Sequence, residues 1–250
     1  IKSLKNAGIE TNVGLLKDEC KELNRVFFVN QKKSRPYIIL KSAQSIDGKI
    51  ALKNGNSKWI SNPGSRRNSH HLRSRVKGIL VGRKTAEEDN PSLTIRLSKK
   101  ELNLNKGDSI KQPVKIILGN LKKSKKVNKI FSKNSKVIIG SRMLAKNVSD
   151  IEYIKYDDKN FLEEFMKDLY EKDISSILVE GGQKTINAFI ANNLFDELVL
   201  YTAPTFLGKE SIQTLGLRAP KSMKHLKRLK MAKVEIFNDD IKTTYFNGKI

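Results

Sequence analysis

The chain has one cysteine, Cys20, and one tryptophan, Trp59, in 250 residues. A lone cysteine excludes an internal disulfide framework, and no Cys/His cluster suggests zinc. It fits a reducing, cytoplasmic setting, with Cys20 as a buried or half-buried helix residue. No run approaches the roughly 18 apolar residues of a membrane span. The opening IKSLKNAGIE lacks an initiator Met and the apolar core of a signal peptide, and is expected to start inside a longer protein. Aromatic residues are scarce, at 7%, and the basic run LKKSKKVNK (121–129) has none. Nucleic-acid modules usually concentrate charge and interleave aromatics. The net charge of +23 is therefore read as a solvated surface, with no nucleic-acid partner. Only 11 of the 49 basic residues are Arg, and the lysine excess runs along the whole chain. Such a field still collects anionic, phosphorylated ligands.

What is present is a set of short apolar blocks. Residues 1–35 read as a strand remnant, the helix LLKDECKELNRVFF and a polar connector QKKSR. Leu16, Cys20, Leu23 and Phe27 recur at helical spacing. Pro36 marks a break, which places a domain boundary near residue 35. Beyond it, strands are expected at 37–43, 78–82, 114–118, 136–140, 152–155, 175–180 and 197–203. Several are continuous apolar runs, as strands covered on both faces require. Helices fit between them: one from SNPGSRRNSHHLRSR, capped by Ser61 or Asn62 with Pro63 in its first turn. A second is FLEEFMKDLYEK (161–172), with Phe161, Leu162, Phe165 and Leu169 on one face. A third, TINAFIANN, follows a double glycine. Residues 98–112 read as a loop, and 223–247 as two antiparallel strands. The fold class is α/β, with a mostly parallel sheet flanked by helices and an antiparallel C-terminal edge.

The stretch ILVEGGQKTINAFI (177–190) ends a buried strand with a carboxylate and two glycines. Glycines there let backbone amides and a helix N-terminus face a phosphate, yet a glycine pair at a strand end is more often just a turn. The stretch is neither GxGxxG nor GxxxxGK[ST]. Other expected strand ends carry Lys41 to Ser45, Thr85, Asp89, Asn90, Leu93 and Arg96. Ligands in open α/β sheets collect at such a rim.

Taken in order, RPYIILKSAQSIDGKIA, SKWIS, LRSRVKGILVGRKTAEEDNPSLTIR, ILVEGGQKTINAFI and DELVLYTAPTFLG resemble the reductase domain of the bifunctional riboflavin-biosynthesis deaminase/reductase. The resemblance covers roughly residues 35 to 245. It implies a dihydrofolate-reductase-like fold, use of NADPH, and a homodimer. The reaction it implies is reduction of the ribosyl group of 5-amino-6-(5-phosphoribosylamino)uracil to ribityl. GIETNVGLLKDECKELNRVFF resembles the end of the preceding deaminase domain, so the domains expected are a remnant at 1–35 and a reductase at 36–250. That deaminase needs H-x-E and P-C-x-x-C for zinc. His70, His71 and His225 lack those neighbours, so zinc belongs only to the absent part.

By the same resemblance Ser57, Arg73, Leu93, Arg96 and Glu180 match substrate-binding positions. Paired guanidinium donors suit a phosphate; the alternative for Arg73 is pairing with a surface carboxylate. Glu180 would meet the donor edge of the pyrimidine. Lys41 would orient the substrate or donate a proton, and with Glu180 forms the expected catalytic pair. Ala43, Trp59, Thr85, Asp89 and the loop from Gly182 to Phe189 (Gln183, Lys184, Thr185, Ile186, Asn187 and Ala188 within it) match cofactor-contacting positions. Trp59 reads equally as a core anchor, and Asp89 as a turn cap. Gly119-Asn120 stands where the family usually has Asp-Ser; Asn120 can still donate a hydrogen bond. Competing readings are a reductase of folate or another carbonyl on the same fold, and a basic nucleic-acid module.

Overall fold

Apolar blocks of four or five residues, such as GILVG, VKIIL and SILV, are too short for helices and covered on both sides, so they pair in parallel. The computed structural model describes residues 1–121, 129–132, 135–142, 150–156 and 160–248. Helices α1 (Lys2–Asn6), α2 (Lys17–Leu23) and α3 (Arg25–Lys33) precede β1 (Tyr37–Ser45), β2 (Lys49–Ala51) and α4 (Pro63–Ser74). Next come β3 (Gly78–Gly82), α5 (Arg83–Asp89), β4 (Val114–Leu118), β5 (Val137–Ser141), β6 (Ile151–Lys155) and α6 (Phe161–Glu171). The chain continues through β7 (Ser176–Val179), α7 (Gln183–Ala191), β8 (Glu197–Ala203), β9 (Ile212–Gln213), β10 (Lys230–Phe237) and β11 (Asp240–Phe246).

Nine strands form one sheet in the order β10-β11-β8-β1-β7-β3-β4-β5-β6. From β8 to β6 every pairing is parallel, and β11 and β10 close one edge antiparallel. β2 and β9 pair separately, an addition the sequence did not signal because each holds only two or three residues. Helix α5 was also unforeseen; RKTAEED carries too little apolar periodicity to announce itself.

Helices cover both faces. Leu162, Phe165, Met166 and Leu169 of α6 pack with Ile186 and Phe189 of α7 on one side. Val29 of α3, Leu72 of α4 and Ala86 of α5 pack on the other. Each fully buried valine, leucine, isoleucine, methionine or phenylalanine among these contributes roughly 1.5–3 kcal/mol. Met166 takes the place expected for Phe161, which is only partly buried. α4 starts as its sequence requires: Asn62 Oδ1 accepts from the Ser65 amide at 2.9 Å, and Pro63 occupies the first turn.

The N-terminal segment departs from expectation. The expected strand remnant is helix α1 and loop, and QKKSR is mostly the end of α3. The helix expected over residues 15–28 breaks at Asn24, and α2 buries nothing. Leu16, Leu23 and Phe27 are 60%, 86% and 58% exposed, and Cys20 is exposed rather than buried. Leu16 precedes α2 with a left-handed backbone, Cys20 and Leu23 lie on α2, and Phe27 lies on α3 beyond the break, so the four share no single helix face. The basic run contributes residues 122–128, which lie outside the described residues.

Candidate active site

Register brings the site together. β1 pairs Leu40 with Val179 of β7, so the next residues, Lys41 and Glu180, emerge side by side. Leu40 and Val179 point into the core under α6 and α7. Strand alternation then turns Lys41 and Glu180 to the face that α4 covers. The last turn of α4 delivers Arg73 there. Arg73 Nε donates to Glu180 Oε1 at 2.9 Å, Nη2 to Oε2 at 2.6 Å, and Nη1 to the Thr94 carbonyl at 2.9 Å. The two side chains are 14% and 13% exposed.

This cluster shapes its own protonation. Burial works to raise the Glu180 pKa, but Arg73, Lys41 and His70 outweigh it and bring it to about 2. Burial lowers the Lys41 pKa, against the pull of Glu180 and with the help of Arg73. The Lys41 ammonium lies 5.4 Å from the centre of the Tyr201 ring. The crevice therefore holds a fixed carboxylate beside a lysine that gives up its proton more readily than a free one, a donor suited to general-acid work.

Its outer wall is the turn after α5. Leu93 has a left-handed backbone (φ 51°) with its side chain 2% exposed. That conformation costs a leucine about 1–3 kcal/mol, and burial of the side chain holds it. The turn presents the Thr94 carbonyl to Arg73 and sets Arg96 against His70. Sequence reasoning weighed His70 only as a failed zinc ligand; its position three residues before Arg73 on one helix was the available signal.

The second half of the site lies between β3 and β7. These strands are neighbours, yet α5 leads to β4 on one face and α7 leads past β1 to β8 on the other. Such a divergence opens a crevice at the carboxyl ends, where open α/β sheets bind ligands. Gly82 and Gly182 are the N-caps of α5 and α7, and neither helix has a side-chain cap. Thr185 fills the gap between them. A Cβ on Gly82 would sit 2.2 Å from Thr185 Oγ1, and one on Gly181 would sit 2.7 Å from Thr185 Cβ. Gly182 has room for a side chain, and its N–H donates to Thr85 Oγ1 at 3.3 Å. The close approach is thus to the protein's own helix, and Gly181 and Gly82 are the residues that need it. Among the described residues no acceptor meets the N–H of Gln183 or Lys184. The positive end of α7 stays open.

Residues 183–189 are the first turns of α7 rather than a loop, which divides the expected cofactor contacts. Ile186 and Phe189 are fully buried, and Ala188 packs partly against the same core. Asn187 Oδ1 accepts from the Gly216 amide at 3.3 Å, with Gln183 against the same glycine; Lys184 is exposed. Ala43, two residues beyond Lys41 on β1, is half-buried on the same face. Ser57 is exposed. Trp59 is 71% exposed, with the Arg66 guanidinium 4.3 Å from its ring centre, so it is not a core anchor. Asp89 ends α5 with a pKa raised by burial and Glu88, and opposed by Lys58. Asn90, left-handed at φ 41°, makes the turn instead of it, accepting from the Lys129 amide at 3.1 Å. Asn120 Oδ1 accepts from Ser141 Oγ and from the Arg142 amide at 3.0 Å, tying the ends of β4 and β5 together. Beside it opens a cavity of about 750 Å³ lined by Arg83, Asn120, Ser141, Arg142 and Phe161.

In open α/β sheets, ligands bind at such a switch point. Residues 36–243 match the family described as the RibD C-terminal domain, and the chain belongs to that family. A riboflavin biosynthesis protein RibD from Aquifex aeolicus is 34% identical across 96% of this chain and 66% of its own length. Its counterpart from Haemophilus influenzae is 32% identical across 98% and 68%. The solved diaminohydroxyphosphoribosylaminopyrimidine deaminase/5-amino-6-(5-phosphoribosylamino)uracil reductase of Thermotoga maritima superposes with a TM-score of 0.82. It is 30% identical, with 99% of this chain and 66% of that one covered. The chain thus spans about two thirds of the length of the curated relatives it matches.

Proposed function

We propose that this chain carries the reductase step of riboflavin biosynthesis. NADPH would reduce the ribosyl group of 5-amino-6-(5-phosphoribosylamino)uracil to the ribityl product. The observation that carries this reading is the Lys41–Glu180–Arg73 group, set by strand register next to the open N-terminus of α7.

The residues present fit the cofactor. The unclaimed amides of Gln183 and Lys184, at a helix start brought close by Gly181, would hold a pyrophosphate. Arg83 and Arg142 line a cavity that would take the adenosine end, where a 2′-phosphate favours NADPH over NADH. When bound, NADPH supplies the hydride. The chain does the rest. Ring opening of the sugar makes C1′ an imine-like carbon and needs a proton at the ring oxygen, which Lys41 would give. Glu180 accepts hydrogen bonds from the pyrimidine, and Arg73 fixes that carboxylate. Arg96 is exposed at the rim for the substrate phosphate.

The proposal extends to the setting. Residues 1–35 would continue from a zinc-dependent deaminase domain in the parent protein, with α3 and Arg35 packed onto the reductase sheet, and the parent protein would work in the cytoplasm. No helix among the described residues is long and apolar enough to cross a membrane. Met231, Val234, Ile236 and Ile241 share one exposed face of the β10–β11 hairpin, at 58%, 52%, 72% and 44% exposure. This face is the homodimer contact. The lysine surplus is a solvated surface, without a nucleic-acid partner.

The test is turnover. Purified protein should oxidise NADPH with the phosphoribosylaminouracil, and titration with NADPH should change the fluorescence of exposed Trp59. Equal turnover of dihydrofolate would reverse the substrate assignment.

A further inference from the structure

Past Ser45, the buried last residue of β1, the chain turns tightly: Gly48 is left-handed at φ 71°, and its N–H donates to the Ser45 carbonyl at 3.0 Å. Asp47 sits inside this turn. Its Oδ1 accepts from Ser45 Oγ and from the Leu207 amide at 3.2 Å, and its Oδ2 accepts from the Gly208 amide at 2.8 Å. The adjacent Gly48 carbonyl takes the Thr214 amide at 2.9 Å and the Thr214 hydroxyl at 3.1 Å. One turn thus grips both arms of the segment that leaves β8. Ser211 closes that segment on itself, its Oγ donating to the Leu207 carbonyl at 2.6 Å.

The far end of the segment lies on α7. Gly216 donates to Asn187 Oδ1 at 3.3 Å, and a Cβ on that glycine would stand 2.8 Å from Gln183 Nε2. Leu215 packs against the core that holds Ile186 and Phe189. The segment therefore bridges the end of β1, just past Ala43, and the first turn of α7. A carboxylate suits this junction because every group it meets is a donor, and an ionised acceptor binds donors more strongly than a neutral one. The Ser45 hydroxyl, with the Gly208 and Leu207 amides, holds the Asp47 pKa below the usual carboxylate range despite desolvation.

We propose that Asp47 is a positioning residue for the cofactor: by fixing residues 205–216 it sets the start of α7, whose Gln183 and Lys184 amides meet the pyrophosphate. This rests on the reductase reading for the identity of the ligand. The brace itself follows from the hydrogen bonds. Asp47 acts through Leu207, Gly208 and the turn that aims the Gly48 carbonyl, and touches no reacting atom.

The kinetic test separates the two ligands. Asp47→Ala should raise KM for NADPH about tenfold, the loss that one charge-assisted hydrogen bond implies. KM for the phosphoribosylaminouracil and kcat should stay within about twofold, because binding is lost equally in the ground and transition states. Asp47→Asn, which keeps the shape and one accepting oxygen, should lie between wild type and Asp47→Ala. Asn187→Ala releases the other end of the brace. Asp47 and Asn187 share no hydrogen bond, so independent roles would multiply their effects on the NADPH KM. Action through one segment predicts a double variant close to the worse single one. Multiplied effects, or equal rises in both KM values, would overturn the proposal.

Amide hydrogen exchange in the cofactor-free protein decides the matter without turnover. The Thr214 and Gly216 amides should exchange about tenfold faster in Asp47→Ala, as a loosened local unit does; Asp47→Asn carries the comparison if Asp47→Ala fails to fold. Unchanged exchange at both amides removes the brace, even if the enzyme turns over. Faster exchange in a protein that binds no NADPH would keep the brace and remove the reductase reading.

Discussion

Arg73 and Glu180 face each other through two parallel hydrogen bonds, 2.9 Å and 2.6 Å long, across 107 residues of sequence. With both side chains about one-seventh exposed, the pair is nearer to a buried than a surface bridge. Removing one partner from such a pair strands the other charge, at about 3–5 kcal/mol. Residual solvent access argues for the lower end. Glu180→Ala should therefore cost about 3 kcal/mol in urea unfolding and abolish turnover. The double variant Arg73→Met/Glu180→Leu should be more stable than Glu180→Ala alone and equally inactive. A single-site cost below about 1 kcal/mol would place the pair among exposed bridges and weaken its claim to order the site.

The same cluster dictates an acid response with two phases. The folded-state pKa of His70 is depressed from 6.5 to about 4, so below pH 6.5 the unfolded chain takes up a proton that the folded one refuses. Stability should be complete above pH 6.5 and fall as the pH drops toward 4. Glu180 is depressed from 4.5 to about 2, so its contribution is present above pH 4.5 and is lost as pH falls toward 2. Melting temperature against pH should bend twice in the wild type. The upper bend should vanish in His70→Phe while the lower one stays. Two identical curves would mean that His70 titrates freely in the folded state.

The strands were legible because a continuous apolar run has one reading in a doubly covered sheet: 78–82, 114–118 and 197–203 appear with the bounds their residues suggested. The rim was legible for the same reason, since the residue after each apolar run stands at a strand end. The partnerships were not. Nothing local in SHHLRSR says that Arg73 meets Glu180 rather than a ligand, or that His70 meets Arg96; those contacts depend on how α4 and the 92–96 turn cross the sheet. The glycine question resolves similarly. Thr185, four residues on, is what Gly181 accommodates, and Gly82, almost a hundred residues earlier, shares the task. The N-terminal stripe misled because helical spacing does not show the break at Asn24, which puts Phe27 on a different helix from Cys20 and Leu23.

The N-terminal helices allow a prediction about where the folded unit starts. α1 and α2 bury no residue, whereas α3 buries Val29 and Asn30. Arg35 then donates to Asp196 at 2.6 Å and 2.9 Å, and the same carboxylate takes the Ile38 amide at 3.0 Å. Deleting residues 1–24 should leave the melting temperature nearly unchanged. Deleting 1–35 should lower it sharply, because Asp196 would lose its guanidinium inside the sheet edge. Differential scanning calorimetry of the two truncations decides it. Equal melting would put the start of the unit at Pro36 instead of within α3.

The glycines around Thr185 allow a test of the switch-point geometry that needs no ligand. A Cβ at position 82 would meet Thr185 Oγ1 at 2.2 Å but Thr185 Cβ only at 3.5 Å. A Cβ at position 181 would meet Thr185 Cβ itself at 2.7 Å. Gly82→Ala and Gly181→Ala should each destabilise by about 1–3 kcal/mol, as overpacking does. Adding Thr185→Ala removes the hydroxyl and leaves the Cβ. It should therefore rescue Gly82→Ala and fail to rescue Gly181→Ala, a coupling that double-mutant cycles of unfolding free energy resolve. Gly182→Ala, with its nearest contact at an ordinary 3.6 Å, should be close to neutral for stability. If Gly182→Ala proved the most damaging of the three, the start of α7 would be packed differently, and the open amides of Gln183 and Lys184 would no longer face a ligand.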